Sequence, residues 1–127
     1  MASLLKVDAL TGVTTAGSIS VTGEGNSTTT NLQQGLAKVW HNQSEDGQTL
    51  NGSFNVSSLS DLGTGNYQIN VSSSLANANY AGSLTLITNN REEPFLYLLT
   101  TSSYRAYIYD GGYQDGANAT IIQGDLA

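Results

Sequence analysis

Cysteine is absent from this chain, and proline, histidine, methionine and tryptophan occur once each. Without cysteine there is no disulfide framework, no thiolate metal site and no cysteine nucleophile. Charge is also scarce. Only 11% of the residues are charged, against roughly 25% in an average globular protein. Acids outnumber bases by 10 to 4, for a net charge of -6. The bases Lys6, Lys38, Arg91 and Arg105 are scattered, so no basic stripe exists to follow a phosphate backbone, and nucleic acid is not an expected partner. No apolar run approaches the about 18 residues of a membrane-spanning helix, and no membrane partner is expected. The opening Met1-Ala2-Ser3-Leu4-Leu5-Lys6-Val7-Asp8 lacks the basic-then-apolar order of a secretory signal, so none is expected.

What fills the 127 residues instead is serine, threonine, asparagine, glutamine and 14 glycines, with 39% hydrophobic residues. Such a chain has a modest core. Small cores without disulfides or metals often lean on oligomerisation.

Residues 1–30 read as an extended arm. Leu4, Leu5, Val7 and Leu10 form its one apolar patch, and Ser18 to Thr22 alternates as a short strand. The arm is either a disordered tail or a segment that orders on a partner, with those four residues as the docking contacts. Residues 31–42 contain the one plausible helix. Leu32, Leu36, Val39 and Trp40 fall at i, i+4, i+7 and i+8, and Thr30 or Asn31 can cap its start. Ten residues that include Gly35 do not make a helix stable alone in water. The helix must pack on its own domain or on copies of itself.

From residue 43 to 127 the period is two. Phe54 and Val56 are expected on one face of a strand Ser53–Ser58, Tyr67, Ile69 and Val71 alternate with polar residues, and Tyr104, Ala106 and Ile108 oppose Arg105, Tyr107 and Tyr109. Turn-rich stretches at 61–66 and 110–116 separate the runs. Six or seven short strands at this spacing predict an all-β fold, an antiparallel, jelly-roll-like β-sandwich, carrying an extended N-terminal arm and one short helix.

Candidate chemistry is sparse. His41 with Ser44, Glu45 and Asp46 has the residue types for a base and a nucleophile, but no nucleophile motif surrounds any serine. Glu92 and Glu93 are adjacent, so on a strand they point to opposite faces and make a poor glycosidase pair. No catalytic residues, no metal and no cofactor are expected, and the chain reads as a non-enzyme. Asp110 and Asp115, with Asp61, Asp125, Glu45 and Asp46, offer oxygens for weak calcium binding, yet the EF-hand pattern is missing. Six Asn-x-Ser/Thr triplets, at Asn26, Asn42, Asn51, Asn55, Asn70 and Asn118, fit chance in so Ser/Thr/Asn-rich a chain. The tyrosines stand out. Arg105, Tyr107 and Tyr109 share a strand face, with Tyr113 close by. Exposed, that patch suits a sugar, a peptide or another subunit; buried, it is ordinary packing.

The strings Thr30-Asn31-Leu32-Gln33-Gln34-Gly35-Leu36-Ala37-Lys38-Val39-Trp40, Ser53-Phe54-Asn55-Val56-Ser57-Ser58-Leu59-Ser60-Asp61, Gly63-Thr64-Gly65-Asn66-Tyr67 and Ala78-Asn79-Tyr80 resemble a module of tailed-bacteriophage virion proteins, richest in phages of marine bacteria and cyanobacteria. The arm Leu5-Lys6-Val7-Asp8-Ala9-Leu10-Thr11-Gly12 resembles the start of those proteins. The resemblance implies a homotrimeric structural protein of the virion. The arm docks on capsid or tail proteins, Leu32, Leu36, Val39 and Trp40 meet around a trimer axis, and a C-terminal β domain is displayed. Because the chain is short, it implies a compact fibre or a capsid-decorating (cement) protein. The alternative function is a receptor-binding module for host-surface glycan.

Overall fold

The structure is a computed structural model; it describes residues 4–12, 19–23, 28–87, 93–97, 99–109 and 111–127. The chain divides between Gly35 and Leu36 into two units. In the first, residues 4–12 adopt no helix or strand, and Leu4, Leu5, Val7 and Leu10 are exposed. Strand β1 (Ser20–Thr22) pairs antiparallel with β2 (Thr29–Asn31), and one helical turn, α1 (Leu32–Gly35), follows.

The ten-residue helix expected over residues 31–40, within the helix and linker segment 31–42, is therefore not formed beyond that turn. Residues Ala37–Gln43 are a strand, β3, and the β domain begins near residue 36 rather than at 43. The reason lies in the strand's two faces. Val39, His41 and Gln43 are buried while Trp40 is exposed, which is period two. Two of the three inward residues are polar, so the alternation does not appear as a hydrophobic pattern, and the spacing of Leu32, Leu36, Val39 and Trp40 imitates a helix. Val39 lies in the core of its own domain with no exposed surface, so it is not available to an axial helix bundle.

The second unit is the all-β antiparallel sandwich that the strand spacing predicts. One sheet has the order β4 (Leu50–Phe54), β3, β10 (Asn118–Gln123), β7 (Ala81–Leu86). The other has the order β5 (Val56–Asp61), β6 (Asn66–Val71), β9 (Ser103–Tyr109), β8 (Glu93–Tyr97). The second sheet supplies most of the core: Tyr67, Ile69, Val71, Tyr104, Ala106 and Ile108 point inward against Val39 and Ile122. Leu75 and Tyr80, in the connection from β6 to β7, complete it.

The strand expected over residues 53–58 is broken in two at Asn55, where the chain passes from the first sheet to the second. Asn55 has φ 58°, a left-handed conformation that asparagine tolerates better than most side chains. Its amide nitrogen donates to the carbonyls of Lys38 and Ser73, both at 3.0 Å, and its oxygen accepts from the Ser73 N–H at 2.7 Å. One side chain thus ties the crossing to β3 and to the segment after β6. Bends of this kind are how strands change sheets in a sandwich.

Candidate functional site

The outward face of the second sheet carries a continuous shelf of aromatic rings. The β8–β9 register sets Phe95 opposite Tyr107, Tyr97 opposite Arg105 and Glu93 opposite Tyr109. Since successive side chains alternate between faces, Leu96, Ala106 and Ile108 enter the core while these residues line the outside. Tyr107 is the hub. It stacks on Phe95 at 5.3 Å with the planes 4° apart, meets Tyr97 edge-on at 5.7 Å and touches Tyr113 at 5.7 Å. Tyr113 in turn meets Tyr109 edge-on at 5.7 Å. Ring pairs of this geometry contribute about 0.5–1.5 kcal/mol each, yet Phe95, Tyr97, Tyr109 and Tyr113 remain 43%, 53%, 42% and 52% exposed.

Tyr113 reaches the shelf because its loop folds back on the strands. Tyr113 forms a bridge with Tyr109, and the Gln114 N–H donates to the Ile108 carbonyl at 3.2 Å. Asp115 fixes the loop from below: its Oδ1 accepts from the Gly65 N–H at 2.8 Å and from the Tyr67 hydroxyl at 3.0 Å, and the Gly116 N–H donates to that hydroxyl at 3.2 Å. Burial, reinforced by Asp115, pushes the Tyr67 hydroxyl well above its ordinary pKa. Gly65, at φ 65°, lies so close to this loop that a Cβ would sit 2.6 Å from the carbonyl oxygens of Gln114 and Ile108.

Arg105 occupies the shelf between Tyr97 on β8 and Gln68 on β6. Its one hydrogen bond is a long one, 3.4 Å, to the Tyr107 hydroxyl, and no carboxylate pairs with it among the described residues. Beyond it the face becomes polar: the Gln68 amide donates to Asn70, and the Asn70 amide donates to Ser58. The expected patch of Arg105, Tyr107, Tyr109 and Tyr113 is thus one surface, exposed at Tyr109 and Tyr113 and half-buried at Arg105 and Tyr107. Phe95 and Tyr97 belong to it as well. Their i, i+2 spacing was visible in the sequence, but the apolar run 95–99 reads as buried on both faces.

The other expected clusters do not assemble. His41 is buried, not in a cleft. Its Nε2–H donates to Asn118 Oδ1 at 3.1 Å, and its Nδ1 accepts from the Tyr104 hydroxyl at 2.9 Å. This tautomer follows from Asn118, whose amide nitrogen donates to the Gly116 carbonyl and so leaves its oxygen toward the ring. Burial lowers the His41 pKa from 6.5 to about 4, against the opposing effect of the Asn118 hydrogen bond. Ser44 and Asp46 are committed to a turn instead. Asp46 accepts from the N–H groups of Gln48 and Thr49 and from the Thr49 and Ser44 hydroxyls, and its pKa falls to about 2, the Gln48 bond contributing most. No three His, Cys, Asp or Glu side chains gather to hold a metal among the described residues. Asp115 is already bonded to two donors, and Asp110, Arg91 and Glu92 lie outside the described residues.

The outward face of the first sheet has a different character. Phe54, Trp40 and Ile121 are direct neighbours across β4, β3 and β10, and all three are exposed. Around them lie Gly52, Ala119, Ala81, Ser83 and Thr85, none charged. Of the four residues expected at an oligomer contact, Trp40 is on this face, Leu36 is exposed just before β3, Val39 is in the core, and Leu32 belongs to the first unit.

Comparison with protein-family models, with curated proteins and with solved structures yields no match for this chain.

Proposed function

We propose that the protein is a structural component of a tailed-bacteriophage virion, a homotrimeric short fibre or capsid-decorating protein with no catalytic role. The observation that carries this reading is apolar surface left uncovered by the single chain: Leu4, Leu5, Val7 and Leu10 on the arm, and the Phe54–Trp40–Ile121 row on the first sheet. Monomeric proteins rarely leave contiguous apolar patches open without a partner. The arm has the composition of a docking segment for capsid or tail proteins. The Trp40 row suits a second copy of the chain. With a net charge of -6, copies repel one another except through a face that bears no acid. The resemblance of residues 1–40 and 53–80 to virion modules supports the same reading. Light scattering on the full chain tests it. The expected mass is three times 13.3 kDa, falling to one chain in Trp40→Ser with the fold retained by circular dichroism. A monomeric native chain removes the assembly reading.

The aromatic shelf favours a second role alongside assembly, binding of host-surface glycan through Arg105, Tyr107, Tyr109 and Tyr113.

A further inference from the structure

We infer that the shelf takes an acidic oligosaccharide, its carboxylate held by Arg105 and its sugar rings laid along Tyr97, Phe95, Tyr107, Tyr113 and Tyr109. The inference rests on the glycan-binding reading and narrows it to a ligand class. Three observations carry it.

The first is the polar edge of every ring but one. Tyr97, Tyr107, Tyr109 and Tyr113 each present a hydroxyl, and Phe95 alone does not. An apolar protein surface laid over them would leave those hydroxyls without partners, which is costly. A sugar offers C–H bonds to the electron-rich ring faces and hydroxyls to the ring edges. Gln68, Asn70 and Ser58 extend the same hydrogen-bonding row across β6 and β5. The Trp40 face has no such groups on its Phe54 and Ile121 neighbours, so the two sheets present chemically different surfaces.

The second is the state of Arg105. In a chain with 10 acids and 4 bases, this guanidinium has, among the described residues, one 3.4 Å contact and no carboxylate. A guanidinium carries five donors in a fork that fits a carboxylate two-pronged. Flanked by Tyr97 and Gln68, it is positioned to complete its set from a ligand.

The third is polarity along the shelf. Glu93 pairs with Tyr109 at the end opposite Arg105, four residues of β9 away, or about 14 Å at 3.4 Å per residue. That length suits a short oligosaccharide rather than a single sugar. The carboxylate at one end repels a second acid there and sets the ligand's direction.

Calorimetry with the full chain tests the inference, using short oligomers of galacturonate, of mannuronate and guluronate, and of sialic acid, each beside its carboxyl-reduced counterpart. The expected result is binding of at least one acidic oligomer, at least tenfold weaker binding after carboxyl reduction, and weakening as salt rises. Arg105→Gln is expected to weaken binding at least tenfold with an unchanged melting temperature; Tyr97→Ala is expected to weaken it at least tenfold as well, with the melting temperature lowered only by the loss of its one ring contact to Tyr107. Equal binding of acidic and reduced oligomers overturns the acid selectivity and leaves glycan binding standing. Binding by none of the oligomers overturns both. A loss of the oligomer in Arg105→Gln, without saccharide binding, makes the shelf a subunit contact instead.

Discussion

Acidification to pH 5 should weaken the fold through one side chain. His41 is buried at the centre of the sandwich in its neutral form, with a pKa of about 4 against 6.5 for the free side chain. Between those values the unfolded chain binds a proton that the folded chain does not, so stability is full above pH 6.5 and declines as pH falls toward 4. At pH 5 the loss relative to pH 7 is about 2 kcal/mol, and the full displacement corresponds to about 3 kcal/mol. Asp46, with its pKa lowered to about 2 from 3.8, does not contribute in this window; its stabilisation is lost only as pH falls from 3.8 toward 2. Urea denaturation at pH 7, 6 and 5 measures the slope, followed by near-ultraviolet circular dichroism of the tyrosines. Because His41 is the one histidine, its carbon-bound proton gives a single titrating resonance, which reports the folded pKa directly. A midpoint near 6.5 together with flat stability from pH 7 to 5 would refute the argument. The variant His41→Gln, whose amide N–H can still reach Asn118, should fold with the slope abolished.

Two further outcomes follow from the loop that mounts Tyr113. Gly65→Ala should cost at least ~2 kcal/mol, because a left-handed φ and backbone contacts at 2.6 Å leave no room for a methyl group; a melting temperature within a degree of the parent would contradict this. Tyr67→Phe should cost about 1–2 kcal/mol, since it leaves Asp115 and the Gly116 N–H without the hydroxyl; hydrogen exchange should then accelerate at residues 111–117 and not in β6.

The strands with apolar inward residues were legible from the sequence. Tyr67, Ile69 and Val71, and Tyr104, Ala106 and Ile108, lie inward as their alternation requires. Arg105, Tyr107 and Tyr109 lie outward for the same reason, so most of the shelf could be assembled from spacing alone. Strand β3 could not, because His41 and Gln43 occupy core positions and remove the apolar rhythm that marks a buried face. Its hydrogen bonds to Tyr104 and Asn118 span 63 and 77 residues, a separation that no local window reads. The break at Asn55 was hidden for another reason: an asparagine among alternating residues looks like one more outward polar side chain, and its left-handed φ has no signature of its own. Phe95 and Tyr97 were obscured by Leu96, Leu98 and Leu99, which make the run look apolar throughout.

The interior of the sandwich is graded along its length. Val39 faces Ile122 across β3 and β10 toward one end, His41 faces Thr120 in the middle, and Gln43 faces Asn118 at the other. At that last end Gln43 is fully buried close to His41, and Asn118 bonds both the His41 ring and the Gly116 carbonyl. Cohesion therefore differs in kind between the ends. Apolar contact holds one end, and directed hydrogen bonds from Asn118 and Asp115 hold the other. The loop that carries Tyr113 leaves β9 at the polar end. The Tyr109–Tyr113 end of the shelf is therefore mounted on a few directed hydrogen bonds, so that one polar substitution beneath it, such as at Asp115, can reposition two rings at once.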